Sequence, residues 1–536
     1  MGEINVGTYL NPSNGRFLQA VNSKIYIDKS QLISFTNQKI NTEQKNICVS
    51  RPRRFGKSIN LSMLAAYYSK GCRSKKIFNS LSIANDTTYL KHLNKYNVIY
   101  INMQDFLTGS KNIEDMLQRL KKRIFRELTE EKSDINLDPN EELSFWMEDF
   151  YTATKRKKPF VILIDEWDCV MREHMNEKDS LKMYLDFLRN WLKDKEYIAL
   201  TYMTGILPIK KYGTHSALNM FDEYSMLESD GLEKYIGFTD EEVFGLCEKY
   251  EVDFEQMKAW YDGYELNGTD LYCPRSVVKA VSSKKFSGYW TETETYEALA
   301  KYIAMNFDGL HDTIEKLLAN QPQPTDTRTF SNDMITFTNK DDILTLLVHL
   351  GYLGYNPDKQ TVYIPNKEIA DEFVVSMKAT GLWKETIEAV TLSRKLLTDT
   401  LQKNSEAVAQ AIEKIHDSNS STINYSNEQS LRFIILIAYY YAKEQYEIVQ
   451  ELPTGKGFAD IVFIPKHNVD TAAYPPMVIE LKWNDTAETA IQQIRNKIYP
   501  DKLKSFEKIL LVGISYTKKI KDNKKHKCII EEYTMN

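Results

Sequence analysis

RPRRFGKSIN, residues 51–60, decides how the front of this chain is read. Gly56-Lys57-Ser58 closes a stretch shaped like a phosphate-binding loop, G-x-x-x-x-G-K-[ST], but Arg51 stands where the leading glycine belongs. The flanks favour a working loop. NICVS at 46–50 is a short apolar run with β-branched residues, and NLSMLAAYYSKG at 60–71 has helical spacing and closes on Gly71. A loop between strand and helix is what phosphate chemistry needs. Gly56 lets the backbone approach an anion, and the N–H groups at the helix start present positive potential to it. Lys57 would reach the β- and γ-phosphates, and the Ser58 hydroxyl would bind Mg²⁺. Arg53, Arg54, Phe55 and Ile59 complete the expected nucleotide-binding stretch, with one of the two arginines contacting phosphate.

FVILIDEWD at 160–168 supplies the second half. Its apolar residues read as a buried parallel strand ending in Asp165, placed to hold the magnesium shell. Glu166 is placed to orient or deprotonate an attacking water. NVIYINM at 97–103 and YIALTYMTG at 197–205 read as further strands, with helices at 113–128 and 181–193 between them. That alternation implies a parallel sheet with ligands beyond its carboxyl edge. Thr201 and Thr204 fall near the end of the last strand; Thr204 is the candidate γ-phosphate sensor, and an ordinary strand-end threonine reads equally well.

The 536 residues suggest roughly three domains at 100–200 residues each. Hydrophobic content of 42% and charged content of 27% are those of a soluble globular protein. With a net charge of −5, any nucleic-acid binding must use local patches. The six cysteines include no C-x-x-C pair, which argues against zinc and fits a reducing cytoplasm. No secretory signal is read at the N-terminus. The longest apolar stretch, FIILIAYYYA at 433–442, is too short to cross a bilayer and reads as a buried helix, so no membrane association is expected.

In the middle, DEEVFGLCEKY after GFT at 237–239 reads as an amphipathic helix with acids in its first turn. DDILTLLVHLGYLGYNPDKQTVYIPN at 341–366 reads as a helix followed by a β-hairpin, the outline of a winged helix; its few basic residues favour a lid over a DNA reader. Arg275, near a helix start, reads more readily as a surface residue than as a phosphate contact.

The last fifth holds a second cluster. GKGFADIVFIP at 455–465 puts Asp460 before an apolar run, and MVIELKWND at 477–485 puts Glu480 and Lys482 on one face of a strand. A hairpin would bring Asp460 beside Glu480. Two close carboxylates repel and invite a divalent metal, which activates water for attack on phosphorus. Lys482 would neutralise charge or position the nucleophile. From Lys482 to Lys527 there are 12 Lys and Arg against 5 Asp and Glu, a balance suited to a phosphodiester.

YIDKS at 26–30, RPRRFGKS at 51–58, LIDEWD at 163–168, TGI at 204–206, GFT at 237–239 and WYDGY at 260–264 occur in an order that resembles a bacterial AAA-ATPase-like family often fused to a PD-(D/E)XK nuclease domain. Arg51 in place of glycine is similar to that family's habit, which argues against decay. In the family the segment with Asp28 and Lys29 borders the nucleotide; on its own it equally caps a helix. The D-x(n)-E-x-K pattern resembles the PD-(D/E)XK site. By that likeness Gln493 in AIQQIRNKIY is the helix polar residue, with Gln492 as the alternative, and Glu428 in NEQSLRFIILIAYYYA adds a metal contact or is a helix N-terminal acid.

The implied fold is α/β: a P-loop NTPase parallel sheet with a helical and winged-helix lid, plus a C-terminal α/β restriction-endonuclease-like domain. The expected division is 1–238 ATPase-like, 239–370 lid and winged-helix-like, 371–418 helical linker, and 419–536 nuclease-like. The implied cofactors are ATP and Mg²⁺, with Mn²⁺ as the alternative at the nuclease site. The implied partners are DNA or RNA and further copies of the chain. The expected activity is ATP-controlled cleavage of nucleic acid, in defence or mobile-element biology. The rival is a nucleotide-dependent interaction switch whose nuclease fold binds without cutting.

Overall fold

The computed structural model describes residues 6–132, 134–209, 218–290, 297–305, 308–332, 334–419, 428–454, 457–467, 469–496, 503, 505–517 and 525–534. The chain forms two compact units: 1–295 with 322–371, and 296–321 with 372–536.

The first unit is built on five parallel strands: β1 (Asn46–Ser50), β2 (Asn97–Asn102), β3 (Phe160–Asp165), β4 (Ile198–Gly205) and β5 (Asp222–Tyr224). Every residue of β1, β3 and β4 is buried, as a sheet covered on both faces requires. The spatial order is β2-β3-β4-β1-β5, so β4 lies between the strand feeding the loop and the strand ending in Asp165. Thr204 pairs with Val49 on one side and Asp165 on the other, so three strand ends share one carboxyl edge.

Helix α1 (Lys57–Tyr68) leaves the loop with Gly56 at its N-cap in the left-handed region, φ +89°. Helix α2 (Ile113–Glu131) starts where Asn112 accepts the Asp115 N–H, and it buries Ile113, Met116, Leu117, Leu120, Ile124 and Leu128.

The GFT signature resolves as a capping box. Thr239 Oγ1 accepts the Glu242 N–H at 3.4 Å, and Glu242 accepts the Thr239 N–H at 2.8 Å, starting α3 (Asp240–Tyr250). β6 (Phe238–Thr239), β7 (Tyr264–Leu266) and β8 (Thr269–Tyr272) form a small antiparallel sheet, and α4 (Pro274–Ser283) follows. The glycine of WYDGY has a positional reason. Gly263 has φ +103°, and a Cβ there would lie 2.0 Å from the Pro365 carbonyl oxygen. The expected helix and hairpin are α5 (Lys340–Leu350), β10 (Gly354–Asn356) and β11 (Thr361–Tyr363); β9 (Gln323–Pro324) adds a third strand.

The second unit is a mixed sheet ordered β12 (Tyr446–Thr454), β13 (Gly457–Pro465), β14 (Met477–Trp483), β15 (Lys508–Tyr516), β16 (His526–Thr534). β14 and β15 run parallel, joined through α9 (Ala487–Asn496), and the other neighbours are antiparallel. Helices α6 (Lys384–Leu401), α7 (Ser405–Asn419) and α8 (Glu428–Ala438) accompany the sheet.

The segment expected as a linker does not run free. Thr400 shares a 2.7 Å hydroxyl contact with Tyr439, Arg394 clamps Glu444, and the Ile530 N–H donates to Ser405 Oγ. Its polar side chains bond to the residues around the C-terminal sheet, which charge patterning could not show. The apolar stretch at 433–442 forms the end of α8 and a following 3₁₀ turn, with Ile434 to Ala438 buried. Among the described residues no helix is long and apolar enough to cross a membrane.

Candidate functional site

At the phosphate loop, a Cβ on Gly56 would meet nothing within 4 Å, so the backbone is open to a ligand. Lys57 is buried, and its Nζ donates to the Arg51 and Pro52 carbonyls, both at 2.9 Å. Burial lowers the Lys57 pKa, and Glu166, Asp168 and Asp165 work against that fall. Asp165 is fully buried, and burial raises its pKa against the pull of the nearby Ser58 hydroxyl and Lys57 charge. Its Oδ1 accepts the Glu166 N–H at 3.1 Å, while Oδ2 is buried without a hydrogen-bond partner. An orphaned carboxylate oxygen beside a serine hydroxyl and a lysine fits a magnesium-nucleotide.

Arg51 does not narrow the loop. Its fully buried guanidinium turns away and donates to the Ser50 and Tyr224 carbonyls, tying the loop's start to edge strand β5. Phe55 packs edge-on to Tyr264 and its carbonyl accepts the Gly237 N–H, so its side chain serves the back of the loop. Trp290 donates to the Arg53 carbonyl at 3.3 Å, and the Cys273 thiol lies 3.8 Å from the Arg54 carbonyl, which brings the α4 start with Arg275 to the loop. Arg53 is exposed and Arg54 half-buried at φ +69°. Ile59 is 49% exposed, leaving apolar surface beside the loop.

Other expected roles separate. The Thr204 hydroxyl is buried and donates to the Val49 carbonyl at 3.1 Å, so its one proton is committed to β1. Asp28 accepts the Ser30 and Ser82 N–H groups, and Lys29 bonds Glu242 and the Lys234 carbonyl, a scaffold role for both.

In the second unit, Ile461 pairs with Ile479 on antiparallel strands. Continuing that register sets Asp460 opposite Glu480, with side chains on one face. Asp460 Oδ2 accepts the Leu481 N–H at 2.8 Å. Glu480 is buried; Oε1 accepts from Gln493 on α9 and lies 3.7 Å from Lys482 Nζ. Gln492 is exposed, so α9 presents Gln493 to the cluster. Two buried carboxylates are oxygen donors that suit a hard divalent ion, and Lys482 and Gln493 stand beside Glu480 as its cation and hydrogen-bond partner. Glu428 begins α8, but its side chain lies outside the described residues, as do 455–456 of the GKG turn and 518–524 of the basic run.

Residues 19–214 match the family model of a predicted AAA-ATPase, and 426–526 match that of the PD-(D/E)XK nuclease superfamily. The chain joins an AAA-ATPase-like domain to a PD-(D/E)XK nuclease-superfamily domain. An uncharacterized protein in the vnfD 5′ region of Azotobacter chroococcum is 24% identical over 523 residues, covering 92% of this chain and 93% of that protein. A Walker-type ATPase of Pyrococcus abyssi is 14% identical, covering 64% of this chain and 94% of that one, with a TM-score of 0.34. The ORC2 protein of Aeropyrum pernix, in ADPNP and ADP complexes, is 11% identical, covering 68% and 98%, with a TM-score of 0.29.

Three residues that no motif assigned join these sites. In the ATPase-like domain, Arg172 grips Glu166 through Nη2 and lies 3.2 Å from Asp168 Oδ2 through Nε. Asp168 Oδ2 also accepts the N–H groups of Ile206 at 3.0 Å and Leu207 at 2.8 Å, which fixes the TGI turn after β4. Burial works against the Arg172 charge, yet Asp168 and Glu166 outweigh it and raise its pKa. The signal was present: Asp168 and Arg172 stand four apart. In the nuclease-superfamily domain, Arg432 on α8 pairs with Asp460 Oδ1 at 3.1 Å. Nothing local in the sequence links those two, because they meet through tertiary packing.

Proposed function

We propose that the ATPase-like domain binds and hydrolyses Mg-ATP, and that nucleotide state controls a metal-dependent nuclease that cuts DNA or RNA. The observation that carries this reading is the Asp460 carboxylate accepting the Leu481 N–H beside Glu480, which itself meets Lys482 and Gln493. A divalent cation held there by Asp460 and Glu480 would supply Lewis-acid activation of water and neutralise charge on the phosphate. Gln493 fixes the Glu480 carboxylate, and Lys482 offsets its charge and meets the phosphodiester. At the front, Lys57 would hold the terminal phosphates, Ser58 and Asp165 the magnesium, and Glu166 would take the proton of the attacking water. Glu166 must first leave Arg172. A cytoplasmic location, self-assembly and a role in defence or mobile-element biology belong to the same proposal and rest on the domain pairing.

The test is incubation of the purified chain with single- and double-stranded DNA and RNA, in Mg²⁺ or Mn²⁺, with and without ATP. Asp460→Ala abolishes cleavage with the fold intact, and Lys57→Ala abolishes nucleotide binding. Cleavage at the wild-type rate in Asp460→Ala refutes the site assignment.

A second reading is a nucleotide-dependent switch whose nuclease fold binds without cutting. It is favoured by the Arg432 ion pair, which occupies the carboxylate a metal needs. Failure to cut any substrate, together with ATP-dependent capture of a partner, selects it.

A further inference from the structure

Helix α2 of the ATPase-like domain carries a face that neither site uses. Its apolar side is buried, while Arg119, Lys122, Arg123 and Arg126 are exposed on the opposite side. With Phe125, Thr129 and a single acid, Glu130, these cations border a groove of about 620 Å³. Lys121, on a different side of the helix, has a close carboxylate, Glu142 at 2.6 Å. The four exposed cations are less well matched. Arg119 donates to the neutral Ser110 hydroxyl, and Arg126 lies 3.7 Å from Glu130 with both groups more than half exposed. Lys122 and Arg123 make no ion pair among the described residues. The pairs 119/122, 119/123, 122/126 and 123/126 are helix neighbours of like charge, and each opposes the helix. This face is not a product of bulk composition, because the chain carries a net charge of −5. The repulsion is relieved when a polyanion covers it.

We propose that this face is a docking strip for the sugar-phosphate backbone of nucleic acid. Charge complementarity carries the proposal. Three of the four cations are arginines, whose planar forks match phosphate oxygens. From Arg119 to Arg126 the strip runs about 10 Å at the helical rise, about three base-pair rises of one strand. An anionic membrane fits less well, because the apolar face that would insert is already buried. Such contacts position the duplex without reading its sequence. The choice of nucleic acid as the polyanion rests on the nuclease reading above.

The experiment uses the full chain in EDTA, where cleavage is off, with labelled DNA duplex, single-stranded DNA and RNA. Binding is followed by fluorescence anisotropy between about 50 and 200 mM salt. The variant is R119Q/K122Q/R123Q/R126Q, whose exposed positions leave the core untouched; unchanged circular dichroism and Tm verify this. The variant binds at least about tenfold more weakly near 100 mM salt, and the slope of log K against log salt falls by about three to four. Wild-type affinity and slope in the variant overturn the proposal. So does a wild-type chain that binds no nucleic acid, including one that instead captures an acidic protein. Strip-dependent binding with no cleavage in Mg²⁺ or Mn²⁺ leaves the strip standing and sinks the nuclease reading alone.

Discussion

Replacing Arg172 by Met tests the electrostatic frame around Glu166. Arg172 is 8% exposed and Asp168 fully buried, and Nε lies 3.2 Å from Oδ2. At an effective dielectric near 20, that separation is worth a gross attraction of about 5 kcal/mol. Dehydrating the guanidinium offsets part of it, and truncating one partner of a buried pair typically costs about 3–5 kcal/mol. Asp168 keeps the Ile206 and Leu207 N–H groups, so the lower end applies, about 3 kcal/mol. The assay is a double-mutant cycle by thermal and urea unfolding of wild type, Arg172→Met, Asp168→Asn and the double variant. Arg172→Met lowers Tm by several degrees. Asp168→Asn removes the stranded charge while keeping an acceptor for the turn. The double variant is therefore more stable than additivity predicts, by about 1–2 kcal/mol. An Arg172→Met protein within about 0.5 kcal/mol of wild type, or an additive cycle, refutes the reasoning.

Gly205→Ala places a Cβ 2.6 Å from Asp168 Oδ1 and 2.8 Å from Trp167 Cδ1; since Asp168 is pinned, calorimetry should register a loss of about 1–3 kcal/mol. Arg432→Gln releases Asp460 from its cation, so Mn²⁺ binding followed by electron paramagnetic resonance tightens about tenfold, equivalent to ~1.4 kcal/mol; unchanged affinity contradicts competition for that carboxylate. His416, beside His526 at 2.7 Å, has its pKa pushed down to about 4, by burial first and then by His526. The unfolded chain therefore binds more protons between about pH 4 and 6.5, so stability held above that window is lost as pH falls through it. Glu413 adds to the loss: burial raises its pKa, but the hydrogen bonds from His526 outweigh this and lower it, so protonation there also favours unfolding. Urea midpoints across that range check the sign, and His416→Phe flattens the profile.

Much of the candidate sites' layout was legible because it is local. The loop from Arg53 to Ile59, the acid pair at Asp165 and Glu166, and the i, i+2 placement of Glu480 and Lys482 need only strand alternation and a strand-to-helix bend. The choice of Gln493 over Gln492 came from family likeness, because Ile491 and Ile494 leave the two glutamines equally placed; the Gln493 contact to Glu480 decides between them. The Thr204 reading went further than periodicity allows. Strand position was readable, but the hydroxyl's bond to Val49 depends on which strand lies beside it.

By itself, the sequence determined which residues could carry chemistry: period, charge and turn residues are properties of consecutive positions. Only the tertiary structure decided what those residues do with one another. β4 is inserted beside β1, Arg172 holds Glu166, Arg51 turns under the loop to Tyr224, and Arg432 reaches Asp460 from another helix. Such pairings are set by sheet order and packing across the chain, and a buried charge takes its partner from whatever the fold brings within a few ångströms.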